Sequence, residues 1–382
     1  MASDWRYDGV EPLLCTGLAV ACTLILIVKI WPWDKHDSGR RLPVAAQTAL
    51  RKPPRSMYTP YTHPKGVMNL RALHEDTGGM LFDIDNLYLS HLELKRTLLN
   101  LATSKVFGVH APLAAPSLRA ATEALELIAS RLQTDYPGLV EKRGSLLVNI
   151  ATGRYWDMSE PHSANGELSQ THHPLRVAAE LVQEDLVIML PVAGDGGYVL
   201  AAAAVCFADQ WVLSEKLGLP LAAIHAPAAH YARISPAVDA FFRGLQPGGE
   251  KVRYNFTFCE RPDLHIEGAP KPSDCPLPAT SLPHSLYVRV ERQVLLRLPH
   301  SGGVLFTIRT YQQDVGTFAR HHRSELLAAL DPNSRSTPLS GHQKEAFRER
   351  VRDILLGRGG GGGSSGGGGG DGGGSSGGPT SS

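Results

Sequence analysis

The sequence lacks both a cysteine framework and an excess of charge of one sign. Its 382 residues include only five cysteines, an odd number with no C-x-x-C pair. This excludes zinc ribbons, c-type haem attachment and four-cysteine iron–sulfur sites. Lysine and arginine number 38 against 37 aspartate and glutamate residues, so the clustered basic excess of a nucleic-acid-binding protein is missing. We therefore expect reduced thiols and no nucleic-acid partner.

Common catalytic signatures are missing as well. The sequence contains no G-x-S-x-G elbow, no Walker A loop, no H-E-x-x-H helix and no strand-placed G-x-G-x-x-G. The pairs His172–His173 and His321–His322 have no partners at metal-ligand spacing, and we interpret them as surface residues. The tail 357–382 is almost pure glycine and serine and is predicted to be a disordered coil.

One long apolar run is present near the N-terminus, after a short segment 1–12. Residues 13–32 carry no charge before Lys29, and Trp5, Trp31 and Trp33 flank the run, which predicts a single transmembrane helix. Two alternatives fit less well. A cleaved signal peptide would need a basic n-region and a small-x-small cleavage site, but the first residues carry Asp4, Asp8 and Glu11 against one arginine. A buried core helix would be amphipathic, whereas this run is apolar all round.

The orientation of this helix follows from its flanks. Basic residues lie after the helix far more often than before it, which predicts a cytosolic position for the large domain and the lipid bilayer as a partner. The modest length of the apolar run favours an endomembrane such as the endoplasmic reticulum.

For the rest of the chain, the sequence predicts a basic, proline-rich linker at 33–60 and one domain at 61–356. Apolar spacing of three and four residues predicts helices, and short apolar runs beside turn signals predict strands. The predicted helices cover 87–101, 118–132, 174–181 and 237–245. The predicted strands cover 187–190, 198–207, 285–294 and 304–311. Because the helices come mainly first and the strands mainly later, we expect an α+β fold around an antiparallel sheet.

The last predicted hairpin has a polar pattern. Alternation assigns Leu286, Val288 and Val290 of its first strand, with Val304, Phe306 and Ile308 of its second, to one apolar face. The other face would then carry Arg289, Glu291, Gln293, Arg309 and Tyr311. That face is either a solvated outer surface with cross-strand ion pairs or the lining of a ligand pocket, and both interpretations stay open.

Several short strings occur in the order found in one known family, and the chain resembles the haem-dependent oxidative N-demethylase-like proteins between about residues 61 and 330. The strings are VNIATG (148–153), QEDL (183–186), VCFADQW (205–211), EKLG (215–218), IHAP (224–227), VRYNF (252–256), RVERQ (289–293), RLP (297–299) and FTIRTY (306–311).

This resemblance implies an α+β fold with an antiparallel PAS-like sheet, surrounding helices and haem b as the cofactor. It also implies oxidation of a small substrate, such as an amine, with dioxygen. The chain has no flavin, nicotinamide or iron–sulfur motif of its own, so a separate electron-donating reductase would be needed. Two other hypotheses are a haem-based gas sensor or carrier without turnover, and a haem-free scaffold.

The resemblance also implies roles for particular residues. His225 matches the family's Ile-His and is the candidate iron ligand, because a neutral imidazole is the usual axial donor; His230 is the alternative. Arginines bind carboxylates with two parallel hydrogen bonds, so the candidate contacts to the haem propionates are Arg253, Arg289, Arg292 and Arg309. Glu291, as a counter-ion to a substrate amine, and Tyr311 are the candidate catalytic residues. A satisfied core histidine and structural ion pairs are the competing interpretations.

Overall fold

The computed structural model describes residues 42–54, 70–77, 79–159, 173–192, 197–209, 212–225, 231–259, 261–266, 286–330 and 345–357. The predicted transmembrane helix at 13–32 lies outside these residues, as do the segment before it and nearly all of the Gly/Ser tail. No helix within the described ranges combines the length and apolarity needed to cross a bilayer. The membrane anchor and its orientation therefore stay predictions.

Helices contribute much of the first half of the described chain. They are α1 (Val44–Arg51), α2 (Leu73–Thr77), α3 (Tyr88–Leu101), α4 (Thr103–Val106), α5 (Ala114–Asp135), α6 (Pro174–Ala179), α7 (Leu221–Ile224), α8 (Tyr231–Gly244), α9 (Val315–Ala329) and α10 (Glu345–Leu356).

The strands form one large antiparallel sheet and one small meander. They are β1 (Arg71–Ala72), β2 (Phe107–Val109), β3 (Val140–Arg143), β4 (Leu146–Asn149), β5 (Arg154–Asp157), β6 (Asp185–Pro191), β7 (Tyr198–Ala204), β8 (Lys251–Cys259), β9 (Tyr287–Arg297) and β10 (Val304–Asp314). The large sheet has the order β1-β8-β9-β10-β6-β7-β2, and the meander has the order β3-β4-β5. The predicted α+β fold around an antiparallel sheet is confirmed.

Periodicity located the long elements well and their ends less well. The helix predicted at 87–101 is α3, and the one predicted at 118–132 extends over Ala114–Asp135. The helix predicted to begin at 237 begins at Tyr231, because the chain stays helical through Pro236. Proline removes one backbone donor and usually ends a helix, which is why the sequence suggested a start after it. The four predicted strands correspond to β6, β7, β9 and β10.

Each face of the large sheet is covered by different helices. On one face, here called the α5 face, sheet residues such as Ile188 and Val290 join a core with side chains of α3, α5 and α6. On the other, here called the α8 face, residues such as Met189 and Leu295 join a smaller core with α7 and α8. Alternate residues of a strand point to opposite faces, so both sides of the sheet are buried beneath helices.

Helix α1 lies inside the stretch predicted to be a linker. Its Ala46 and Leu50 are 0% and 5% exposed and belong to the main core. Lys52, just after it, donates to the buried carboxylate of Asp83 at 3.4 Å. This part of the linker therefore packs on the domain rather than serving as a spacer.

The β9–β10 register corrects the predicted faces of the last hairpin. Residues directly opposite one another share a face, and Tyr311 lies opposite Val290 while Ile308 lies opposite Gln293. The prediction that one face is apolar and the other polar was wrong, because alternation along each strand does not fix how the two strands are paired. Each face instead carries both apolar and polar side chains.

Candidate functional site

The residues predicted to form one site lie on both faces of the sheet. Strand register places Arg292, Arg309 and Tyr311 on the α5 face. The same register places Arg253, Arg289 and Glu291 on the α8 face, together with Leu295 and Phe306. His225 follows α7, whose Leu221 and Ile224 pack in the core of the α8 face. The sheet thus separates the predicted residues into two groups.

On the α5 face, Arg309 and Tyr311 are bonded to protein groups. Arg309 donates from Nη2 to Asp85 at 2.6 Å and from Nε to the Asp83 carbonyl at 3.2 Å. The Tyr311 hydroxyl donates to the Asp83 carboxylate at 2.5 Å, and burial raises the pKa of Tyr311 well above its usual range. Both side chains hold the segment that carries Asp83 and Asp85 against the sheet.

Arg292 holds the preceding residues of the same segment. It donates to the carbonyls of Leu81 at 3.0 Å and Met80 at 2.8 Å, and it pairs with Asp76 at 3.4 Å. Arg292 and Arg309 are each at most 1% exposed. The known partners of both arginines are groups of the protein itself, which is the pattern of a structural ion-pair network.

Neighbouring residues complete this buried network, and sequence reasoning missed them. Gln183 donates to Asp85 at 3.0 Å and accepts from the Asp85 amide at 3.1 Å. Glu184 accepts from the Asp83 amide at 2.9 Å, and burial raises the pKa of Glu184, opposed mainly by Arg309. Lys95 donates to the carbonyls of Val182 and Glu184. Gln183 and Glu184 lie in the quoted string QEDL, but nothing in the sequence indicated that they face a distant loop.

On the α8 face, His225 has a fixed ring orientation. Its Nδ1 lies 2.9 Å from the Leu221 carbonyl; a carbonyl can only accept, so Nδ1 carries the proton. The imidazole also stacks on Tyr231, with ring centroids 4.5 Å apart and planes 11° apart. The residue is exposed, yet loss of water around the ring lowers the pKa of His225 below its ordinary value. A neutral ring then presents an unprotonated Nε2, the arrangement common in metal-binding histidines.

A polar group surrounds Glu291 on the same face. Glu291 Oε2 accepts from Gln293 Nε2 at 2.8 Å and from Asn255 Nδ2 at 3.4 Å. Asp209, after β7, accepts from the Thr257 hydroxyl at 3.5 Å. Burial raises the pKa of the Asp209 carboxyl, the positive charge of Arg289 opposes this, and the charge of Glu291 adds to it. Two carboxylates therefore share one partly buried region.

Arg289 lies at the edge of this group and is completely buried. It donates to the carbonyls of Phe207 and Leu264 and to the Gln312 amide oxygen. Its guanidinium therefore fastens the Asp209 loop to β9, and only Nε has no partner among the described residues.

Several buried polar atoms of the α8 face have no hydrogen-bond partner among the described residues. Native proteins satisfy nearly all buried polar groups, and each exception needs an explanation such as a missing ligand. The atoms are Asp209 Oδ1, Tyr231 Oη, Arg289 Nε and Thr310 Oγ1. Burial also raises the pKa of Tyr231 to about 12, so the hydroxyl is available as a donor. This face is the candidate ligand-binding face.

Some candidates and features lie elsewhere. The alternative ligand His230 and the tryptophan of the string VCFADQW, Trp211, are outside the described residues. A cavity of about 450 Å³ lies between α9 and α10, and one of about 360 Å³ lies beside Arg297; neither is lined by a predicted site residue. Within the described ranges, no group of three or more His, Cys, Asp or Glu side chains could hold a metal ion. The candidate face is therefore identified by its chemistry rather than by a large cavity.

Two residues of the α8 face were within reach of the sequence but were not selected. Asp209 and Thr310 both lie in quoted strings, VCFADQW and FTIRTY. The only available signal was their polarity inside apolar stretches. Their placement beside Glu291 depends on strand register and on the loop after β7.

The chain was compared with models of known protein families. The sequence model of the family described as haem-dependent oxidative N-demethylase, alpha subunit-like, matches residues 72–337. The match includes most of the domain and every predicted site residue. Both groups of predicted residues therefore fall inside the family region.

Proposed function

Because this chain belongs to the haem-dependent oxidative N-demethylase alpha-subunit-like family, we propose that it is a haem protein that oxidises a small amine-type substrate with dioxygen. Electrons would come from a separate reductase, since the sequence carries no flavin, nicotinamide or iron–sulfur motif. The observation that carries the proposal is the geometry of His225, whose Nδ1 donates to Leu221 while Nε2 is left as an acceptor.

The strand order supports a PAS-like core. In chain order, β6, β7, β8, β9 and β10 are the first to fifth strands, and across the sheet they stand in the order 3-4-5-1-2. Helices α7 and α8 lie between the second and third strands and cover one face. This order supports a PAS-like sheet, and His225 and the unpartnered polar atoms lie on the side covered by those helices.

The residues of the α8 face fit a haem group in their chemistry. His225 supplies a neutral imidazole nitrogen, and Tyr231 restrains its ring by stacking. Arg253 is partly buried on the same face. Burial lowers the pKa of His225 and the positive charge of Arg253 adds to this, which supports Arg253 as the arginine that would meet a propionate. Leu221, Ile224 and other apolar side chains provide a non-polar lining. Arg289, by contrast, is largely engaged by the protein.

The roles of the protein side chains follow from this placement. Bound haem would supply the oxygen chemistry, with His225 holding the iron. Glu291 would pair with a protonated amine, because both amide donors reach Oε2 and leave Oε1 to a ligand. The apolar residues of the α8 face would exclude water and strengthen that pairing, since charges attract more strongly in a low dielectric. Arg292, Arg309 and Tyr311 would act by holding the sheet and the 80–85 segment in place.

The test is the visible spectrum of full-length protein produced with haem supplied. The parent should show a Soret band that is lost or shifted in H225A. A matched control is H300A, because His300 is also exposed but lies in the β9–β10 turn, on no predicted site. An unchanged spectrum in H225A would retain haem and move the ligand to His230.

The same preparation separates the rival functions. Consumption of dioxygen that depends on an amine and a chemical reductant supports the oxidase. Binding of diatomic gases without substrate turnover would favour a sensor or carrier. A well-folded parent protein without a Soret band would remove the haem proposal and leave a scaffold.

A further inference from the structure

We infer that Thr310 is a further ligand-contacting residue: its hydroxyl and the open oxygens of Glu291 and Asp209 form a hydrogen-bonding subsite for the charged nitrogen of a small cationic substrate. The inference rests on the proposed function and deepens it, because it assigns the groups that would recognise the substrate and separates them from those that would hold the cofactor.

The Thr310 side chain is buried, at 1% exposed, and its hydroxyl oxygen Oγ1 has no hydrogen-bond partner among the described residues. A buried hydroxyl without a partner is unfavourable, and a valine would fill the same shape without that cost. A ligand that supplies the missing partner would therefore be stabilised by this position.

Thr310 shares its face of the sheet with the carboxylate of Glu291. Thr310 is directly opposite Glu291 in the β9–β10 register, and directly opposite side chains on one face are close neighbours. Glu291 Oε2 accepts from Gln293 and Asn255, whereas Oε1 has no partner within the described ranges. The two amides therefore fix the carboxylate through Oε2 and leave Oε1 open on the face that Thr310 shares.

Asp209 provides a second carboxylate in the same region. Asp209 Oδ2 accepts from Thr257, and Asp209 Oδ1 is buried with no partner among the described residues. Thr257 is two residues from Asn255 on β8 and so shares its face. Two open carboxylate oxygens and one open hydroxyl thus lie in one region. A primary ammonium group carries three N–H donors, one for each open carboxylate oxygen and one for the hydroxyl.

Thr307 provides a matched comparison on the same strand. It is 0% exposed, and its Oγ1 also has no partner in the described structure. Its neighbours across the sheet are Val294 and Leu186 on the α5 face. An unpartnered threonine is therefore not enough by itself, and the position of Thr310 beside two carboxylates is what indicates a ligand.

The test is the affinity of full-length protein for methylammonium, whose three N–H donors suffice for both carboxylate oxygens and the hydroxyl, measured by calorimetry with and without bound haem. T310V should weaken binding about tenfold, the effect of one hydrogen bond to a charged ligand, while T310S and T307V should stay within about twofold of the parent. Thermal unfolding checks that the variants are folded, and T310A replaces T310V if the valine variant does not fold.

The outcomes separate the two claims. Equal affinity of T310V and the parent, with clear binding by both, overturns the role of Thr310 and leaves the proposed function standing. Loss of affinity in T307V as large as in T310V also overturns it, because the effect would then not depend on the α8 face. A haem-loaded parent that binds no amine overturns both the amine-oxidising function and this inference.

Discussion

Arg309 and Asp85 form a buried ion pair across the α5 face, with Nη2 and Oδ2 2.6 Å apart and each side chain 1% exposed. A buried pair adds little net stability compared with an apolar pair, but removing one partner leaves an uncompensated charge. The sequence allowed two roles for Arg309, a contact to a cofactor or a structural contact. The pair with Asp85 supports the structural contact.

The first prediction is that R309M destabilises the protein by about 3–5 kcal/mol, because Asp85 is left buried without its arginine. Urea unfolding of the parent and the variant measures the difference. The control is R143A, which breaks the exposed pair between Arg143 and Glu141 and should cost less than about 1 kcal/mol. If R309M unfolds like the parent yet loses bound haem, the cofactor role of Arg309 is correct instead.

The second prediction concerns Gly218, in the turn that leads to His225. Gly218 has φ +78°, and a Cβ at this position would meet the ring of His110. Gly153 has φ +70° with open space around it, so G153A measures the cost of the left-handed backbone alone, about 1–2 kcal/mol.

G218A should therefore lose more stability than G153A, and adding H110A to G218A should recover the steric part. Chemical denaturation of the parent and of these three variants tests this. Gly218 donates to the Leu200 carbonyl, so G218A should also broaden or weaken any Soret band that depends on His225. Equal losses in G218A and G153A would show that the His110 ring moves aside at no cost.

The third prediction is a pH dependence caused by Asp185. Burial raises the pKa of this carboxyl to about 6, opposed mainly by Lys95 and by the amides of Phe207 and Cys206. The ordinary value is 3.8, so the folded state binds more protons than the unfolded state between about pH 4 and 6. The stability contribution of Asp185 is therefore greatest at low pH and falls as the pH rises through this window, by up to about 3 kcal/mol.

The comparison with D185N isolates this effect from other titrations. The free energy of unfolding of the parent, minus that of D185N, should fall between pH 4 and pH 6 and then stay level. Denaturant titrations at half-unit pH steps give the difference. A difference that is flat with pH would mean that Lys95 neutralises Asp185 completely in the folded state.

The fourth prediction is that cation binding at the α8 face becomes stronger as the pH rises through the raised pKa of Asp209. Asp209 is flanked by Arg289, Glu291 and Cys259, and in the free protein burial favours its neutral form. A bound cation favours the carboxylate, so binding releases a proton at low pH. Tetramethylammonium is the suitable probe, because its charge does not titrate.

Calorimetry in two buffers of different ionisation enthalpy counts the protons released. D209N should bind the probe more weakly at high pH and should lose the pH dependence, while E123Q, which changes a half-buried carboxylate that caps the β9–β10 turn, should keep it. A parent affinity that does not change from pH 4 to 7 would rule out Asp209 as part of the cation site.

Local sequence patterns were sufficient for the long elements of the fold. The apolar spacing around Leu92 and Leu99 specified α3, and the apolar runs of β6 and β7 specified two central strands. Such patterns depend only on neighbouring residues and on the period of the backbone. The start of α8 was misplaced because Pro236 is a local stop signal that the helix overrides.

The grouping of the predicted site residues needed the tertiary structure. Arg292, Arg309 and Glu291 lie within 19 positions of one another in the sequence, yet the sheet puts the arginines on one face and the glutamate on the other. Alternation along a strand fixes relative directions, but strand pairing and the helices above each face decide what a side chain meets.

The sequence by itself determined that this chain has an α+β domain with an antiparallel sheet and that it resembles a haem-dependent family, because both depend on local periodicity and on short strings in order. Only the tertiary structure decided that Arg309 pairs with Asp85 from a loop more than 200 residues earlier, and that Thr310, Glu291 and Asp209 share the face that His225 borders. Contacts of that kind arise from register and loop closure, and no local pattern of residues encodes either one.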